Sequence, residues 1–168
     1  SKSEDISEVL SLVKQEAESF SGSNLVFAEE IIEGARHIEV QILGDGHSCI
    51  HLFERDCSFQ RNFQKFIEFC PAPNLKTQTK EKLYNYAIVL CQSVGYKGLG
   101  TVEFLVDKNE KIYFMEVNPR VQVEHTITEE LTGIDLVRSQ INVFCGLSIQ
   151  DQKLSEVQIS GKRASIQA

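Results

Sequence analysis

Residues 114–125, "FMEVNPRVQVEH", carry a row of side chains that could do chemistry. From Met115 every second residue is apolar: Met115, Val117, Pro119, Val121 and Val123. The interleaved set is Glu116, Asn118, Arg120, Gln122 and Glu124. Alternation of period two predicts an extended chain with one buried face. On the polar face, Glu116 and Asn118 offer metal oxygens, Arg120 a planar anion-binding fork, and Glu124 a further carboxylate that could act as a base.

A neighbouring strand sharpens this reading. Residues 101–106, "TVEFLV", and 111–118, "KIYFMEVN", read as two strands joined by the four residues "KNEK". The register that sets Asp107 opposite Ile112 puts Val106 opposite Tyr113, Phe104 opposite Met115 and Val102 opposite Val117. The other face then pairs Leu105 with Phe114 and Glu103 with Glu116. Two ionised carboxylates at ~4 Å and an effective dielectric near ~20 repel by on the order of 4 kcal/mol. A fold relieves that by protonating one acid, by supplying a cation, or by giving both acids a shared metal. Glu103, Glu116 and Asn118 are all oxygen donors, which suits Mg²⁺ or Mn²⁺ rather than zinc. The plainer alternative is a solvated outer face whose acids pair with Lys or Arg. A metal, an anion and a base in one row describe a phosphoryl-transfer site.

The surrounding chain must position that row. At 168 residues, with 42% hydrophobic and 24% charged, one core of ordinary size is expected. A net charge of -7 with scattered Lys and Arg gives no general attraction to nucleic acid or anionic membrane. Five cysteines without a C-x-x-C read as reduced thiols. No apolar run is long enough to span a bilayer, no signal peptide opens the chain, and the absent initiating Met sets the expectation that Ser1 is internal.

Ile6, Val9, Leu10, Val13, Ala17 and Phe20 recur at helical spacing, with "SGSN" as the stop. Three strand-like runs follow: "NLVFAEEII", "RHIEVQIL" and "CIHLFERD". In the second, Ile38, Val40 and Ile42 share one face while His37, Glu39 and Gln41 share the other. "SFQRNFQKFIEFCPAPNL" reads as irregular. A helix is predicted from near Thr79 to Gly95, and another after "TGID", where Thr132 and Asp135 fit a capping box, ending at Gly146. The fold class is α+β, a central, mostly antiparallel sheet flanked by helices.

"GTVEFLVDKNEKIYFMEVNPRVQVEHTITEELTGIDLV", preceded by "RHIEVQILGDGHSCIHLFERDCSFQRNFQK" and "EFCPAPNL", resembles the ATP-grasp core of biotin carboxylases within the biotin-dependent carboxylase family. The resemblance runs over residues 24–147, and "HTITEELTGIDLV" is more similar to pyruvate carboxylases than to stand-alone bacterial subunits. It implies an ATP-grasp fold and a ligase that uses ATP and bicarbonate to make carboxyphosphate, then carboxylates biotin on a carrier domain. It implies metal ligation of Mg²⁺ or Mn²⁺ by Glu103, Glu116 and Asn118. It implies a bicarbonate site at Arg120, Gln122 and the Val123 backbone, with Glu124 as the base. Lys65 matches a lysine near the reacting phosphates, and Glu29, His37 and Gln60 match nucleotide-contacting positions.

The same resemblance sets the domain expectations. Residues 1–23 match the end of the lid region after a glycine-rich loop, and 24–168 a core truncated at both ends, a fragment inactive in isolation. The implied partners are the carboxyl carrier domain, the remaining biotin carboxylase regions and a carboxyltransferase, in an oligomeric parent enzyme of the cytoplasm or, in a eukaryote, the mitochondrial matrix. Asn62, Phe63 and Glu30 depart from the residues usual at their positions, and "ISGKRASIQA" matches its segment only loosely, which points to weakened nucleotide binding. Another ATP-grasp ligase, such as carbamoyl-phosphate synthase, and a non-catalytic nucleotide-binding or assembly module are the alternative readings.

Overall fold

The structure, a computed structural model, describes residues 6–62, 64–154, 157 and 164–168. Phe63 and the part of "ISGKRASIQA" in residues 159–163 lie outside the described residues. The chain forms two compact units, Ser1–Ile31 and Ile32–Ala168. In the first, helix α1 (Ile6–Ser21) follows the expected spacing. Ile6, Val9, Leu10 and Val13 line a shallow apolar groove with Val26 and Phe27. The expected strand over residues 24–32 does not form. Leu25, Phe27 and Ile31 are all more than 80% exposed, and a β-prone run without a strand to pair with leaves its backbone groups to water.

The second unit is built on a six-stranded sheet in the order β5-β4-β1-β2-β3-β6. Its strands are β1 (Arg36–Asp45), β2 (Cys49–Arg61), β3 (Gln64–Cys70), β4 (Lys97–Val106), β5 (Ile112–Asn118) and β6 (Ser165–Gln167), each antiparallel to its neighbours. Helix α2 (Thr77–Ser93) covers one face. Its Leu83, Ala87 and Cys91 pack on Ile38, Val40, Ile42, Val102 and Phe104. Helices α3 (His125–Thr132) and α4 (Leu136–Phe144) lie on the other side, where Leu136 and Val143 join Leu43, Leu52 and Leu99. The middle of that second face is polar and still buried: Glu39, Gln41, Arg55 and Thr101 are each at most 1% exposed.

Several sequence expectations are corrected. The segment expected to be irregular instead extends β2 to Arg61 and forms β3, since "FQKFIEF" alternates well enough to pair with β2. Helix α3 and strand β6 were not anticipated. Thr132 is the last residue of α3, where its hydroxyl donates to the Thr128 carbonyl, and Asp135 alone caps α4 by accepting from the Arg138 N–H at 2.8 Å.

Two β-bulges decide which side chains reach the polar face. Between Val40↔Glu54 and Ile42↔His51, β2 carries one extra residue, and Phe53 there has φ 68°. Strict alternation from His51, which stacks on Tyr84 of α2, would put Arg55 on the α2 face; the bulge turns it to the other. The β4–β5 hairpin closes through five residues rather than four, with Glu110 at φ 64° ending a turn in which the Glu110 N–H donates to the Asp107 carbonyl. Val106 therefore faces Ile112 and Phe104 faces Phe114, one residue off the expected register. An extra residue, Met115, then restores Glu103↔Glu116 and Val102↔Val117. The two departures cancel.

Deleting Met115 leaves a regular ladder with Glu116 still opposite Glu103, so it is expected to cost about 1 kcal/mol, the ordinary effect of one change. Deleting Val117 pulls Asn118 into the place opposite Val102 and is expected to cost at least about 3 kcal/mol. Urea unfolding of both deletions checks this ordering.

Candidate active site

Residues from all six strands and from the segment before α3 line a cleft of 740 Å³. His37, Gln60, Lys65, Glu103, Glu116, Asn118, Arg120, Gln122, Val123 and Glu124 all line it. Ten of the eleven residues singled out in the sequence thus converge. Glu29 belongs to the first unit, where it is exposed.

Lys65 on β3 is the centre of the cluster. Its ammonium lies 2.6 Å from Glu39, 2.6 Å from Glu124 and 3.2 Å from Glu103. Burial disfavours its charge, but Glu39 and the bond to Glu124 outweigh that and push the ammonium above the ordinary lysine range. Burial likewise opposes ionisation of Glu103, yet the His37 bond, Lys65 and Gln122 bring its carboxyl down to about 2. Glu124 is also held below the usual carboxylate range: burial opposes its charge, and the Lys65 bond more than offsets this. Glu124 is the residue preceding α3, with its side chain free of capping duty. The positive end of that helix adds to the preference for the ionised form.

His37 sits at the mouth, its Nε2 2.5 Å from Glu103 and its Nδ1 2.7 Å from the Gln60 amide nitrogen. That same nitrogen donates to the Cys57 carbonyl at 3.0 Å, which orients the amide. Gln60 then donates to Nδ1, leaving the ring proton on Nε2 and pointed at Glu103.

The two facing carboxylates of Glu103 and Glu116 fit a hard divalent cation, while Asn118 turns its amide nitrogen toward them and would have to present its oxygen instead to join them. Glu103 and Glu116 face each other across β4 and β5. One nitrogen of Asn118 reaches both carboxylates, at 2.9 and 3.1 Å, so their oxygens converge on a single point. Glu68 also lines the cleft, with burial first and then Glu124 and Glu39 pushing its carboxyl up. Carboxylates thus outnumber the cations Lys65, Arg55 and Arg120 around the cleft, the imbalance a divalent ion would correct.

The polar row of residues 116–124 does not continue as one strand. β5 ends at Asn118, where Pro119 lacks the N–H a ladder needs, and the chain then turns into α3. Two of its polar residues, Gln122 and Glu124, face inward at 6% and 7% exposed, while Val123, expected on the buried face, is 78% exposed. Arg120 is exposed and its Nη1 donates to the Val121 carbonyl at 3.2 Å.

Beneath Lys65 lies a layer that sequence reasoning did not assign. Glu39 is completely buried, bonded on one side to Lys65 and on the other to Arg55 Nε at 2.5 Å. A signal was present: Glu39 shares the His37 face of a strand whose other face is entirely aliphatic. Arg55 gave none, because only the Phe53 bulge brings it to that face.

These elements make an ATP-grasp fold of the biotin carboxylase kind. The chain belongs to the carbamoyl-phosphate synthase L chain ATP-binding domain family, whose model matches residues 1–152. It is 48% identical over 167 residues to pyruvate carboxylase 1 of Caenorhabditis elegans, which covers 99% of this chain but 14% of that enzyme. The biotin carboxylase–β-γ-ATP complex of Campylobacter jejuni matches with a TM-score of 0.88 at 41% identity, over 96% of this chain and 36% of that one. The biotin carboxylase domain of Hydrogenobacter thermophilus 2-oxoglutarate carboxylase, solved with MgADP, ADP and bicarbonate, matches with a TM-score of 0.82 at 36% identity, over 95% and 35%. Among the described residues no helix is long and apolar enough to cross a membrane.

The depressed Glu103 carboxyl has a defined consequence for stability. Its folded-state value near 2 lies below the ordinary 4.5, so the stabilisation is complete above pH 4.5 and is lost as pH falls toward 2. Solvent screening at the open cleft reduces the contribution below the ~3 kcal/mol that the full shift would give. Urea unfolding between pH 6 and ~2 is expected to show a steeper loss in the native chain than in Glu103→Gln; parallel curves would remove Glu103 as the cause.

Proposed function

We propose that these residues form the ATP-grasp portion of a biotin carboxylase, acting within a longer polypeptide. The reaction is ATP plus bicarbonate to carboxyphosphate and ADP, followed by carboxyl transfer to biotin on a carrier domain. The observation that carries this reading is Lys65 joined to Glu124 beside the facing pair Glu103 and Glu116. A base, a cation and a metal-type oxygen set thus share one cleft.

Glu103, Glu116 and Asn118 would hold Mg²⁺ or Mn²⁺. When bound, that ion supplies charge neutralisation for the nucleotide phosphates. His37 and Gln60, locked by their mutual bond, and Glu29 are assigned to the nucleotide. Arg120, Gln122 and the Val123 backbone are assigned to bicarbonate. Among the described residues the Arg120 side chain bonds only to its own loop, which leaves its fork to a planar oxyanion. Glu124 takes the bicarbonate proton as the bicarbonate oxygen attacks the γ-phosphorus and the bond to the ADP oxygen breaks.

A carboxylate held ionised by Lys65 is a weak base while that bond lasts. Lys65 has a reason to leave it, since an incoming phosphate offers more negative charge than Glu124 does. Once Lys65 turns to the phosphate, Glu124 is left buried without its partner, and desolvation raises its proton affinity. The same movement stabilises the transferring group and strengthens the base. Residues 1–23 are assigned to the end of the lid region and 24–168 to the core. The carrier and carboxyltransferase are partners in the same longer protein.

Two amide substitutions in that longer protein test the roles. Glu116→Gln keeps shape but removes charge balancing the metal, so the Mg²⁺ requirement should rise and added Mg²⁺ should recover activity. Glu124→Gln should leave Mg·ATP binding nearly intact while bicarbonate-dependent ATP cleavage falls by about 10²–10⁴, without metal rescue. Near-normal rates in both variants would return the row to a solvated strand face. A requirement for ammonia or glutamine would point to carbamoyl phosphate chemistry.

A further inference from the structure

Arg55 is completely buried and uses every side of its guanidinium. Its Nε donates to Glu39 at 2.5 Å. Its Nη1 donates to Gln41 at 2.7 Å and to Thr128 of α3 at 2.9 Å. Its Nη2 points to Thr101 and Gln122, both at 3.4 Å. One side chain from β2 thus binds β1, β4, α3 and the segment between β5 and α3. Two of these partners continue directly into the cleft. Glu39 passes on to Lys65 at 2.6 Å, and Gln122 passes on to Glu103, its amide nitrogen 3.0 Å from Oε1.

Stability alone does not account for such a group. Replacing a buried ion pair by packed apolar side chains is often neutral or stabilising, because desolvation consumes most of the Coulomb attraction. What an apolar residue cannot do is fix the orientation of several polar side chains at once. The planar five-donor fork does that, and an ammonium cannot reproduce it.

We propose that Arg55 is a positioning residue for the cleft, setting Gln122 and the Lys65–Glu124 pair at the distance the reaction needs; the kinetic part rests on the biotin carboxylase reading above. Arg55 touches no reacting atom. It acts through Gln122 on the anion side and through Glu39 on the lysine side. Among the described residues it has no direct hydrogen bond to His37 or Gln60 and reaches His37 only through Gln122 and Glu103, so the nucleotide side is coupled to it less directly than the anion side.

The test is Arg55→Lys in the longer enzyme, with Thr128→Val as a second variant. Thr128→Val removes one anchor of the same guanidinium at nearly constant volume. For Arg55→Lys, kcat for bicarbonate-dependent ATP cleavage is expected to fall about 10²-fold, as a displacement near 1 Å can cause. The bicarbonate KM should rise by a larger factor than the Mg·ATP dissociation constant. Thr128→Val should shift the same parameters in the same direction by less. Normal kcat and KM in folded variants with only a lower Tm would make Arg55 a stability residue and overturn the proposal. If the unmodified enzyme shows no bicarbonate-dependent cleavage, the functional reading fails by itself. Arg55 is then judged by NMR of the 168-residue chain. A displaced Gln122 side-chain amide resonance in Thr128→Val and Arg55→Lys supports anchoring, and an unmoved one refutes it.

Discussion

One ammonium among three carboxylates organises the functional half of this molecule. Lys65 reaches Glu39, Glu103 and Glu124 from a strand that is not adjacent in the sheet to those carrying Glu39 or Glu103. Without it, three acids would crowd one partly dry space, and protonation or separation would follow. With it, Glu103 and Glu124 are held ionised and all three acids stay close together. The cluster carries an excess of negative charge, which is the state a divalent ion and a charged substrate would enter. The geometry is therefore poised rather than complete, since each carboxylate has a partner it can exchange.

That cluster works only because the layers around it are unequal. The face under α2 is aliphatic and closed, with Ile38, Val40, Ile42, Val102 and Phe104 as a conventional core. The opposite face is apolar at one end, around Leu43, Leu52 and Leu99, and polar in the middle, around Arg55. The apolar end supplies rigidity, and the polar middle transmits it to Lys65 and Gln122 through hydrogen bonds. No buried side-chain polar atom among the described residues lacks a partner, so the polar layer is fully satisfied.

The two bulges show how small backbone irregularities place chemistry. Phe53 at positive φ rotates Arg55 toward Glu39, and Met115 restores the facing of Glu103 and Glu116 after the hairpin has displaced it. Bulges next to a site are a common means of aiming a side chain. Here each one adds a single residue and changes which face the following polar residue meets. The site segment after β5 uses a different device, a proline that ends the strand and lets α3 begin immediately after Glu124.

The sequence by itself determined the composition of the site and much of its frame. Alternation in "RHIEVQIL" and "TVEFLV" specified β1 and β4, whereas the facing of Glu103 and Glu116 was expected from a register one residue off and holds because the extra residue Met115 cancels the longer hairpin turn. Helical spacing specified α1 and α2, and "TGID" marked the start of α4. Tertiary structure alone decided the rest. Residues 24–32 have strand propensity but no neighbour to pair with, whereas β3 finds one in β2. Gln122 and Glu124 were expected to be the outer face of a strand and are buried, because the chain turns at Pro119 and carries them inward. Arg55 reads in the sequence as one charge among 17 basic residues. It becomes the centre of the buried layer only when β1, β4, α3 and the segment before α3 bring five acceptors around it, and no local pattern encodes contacts between residues so far apart in the chain.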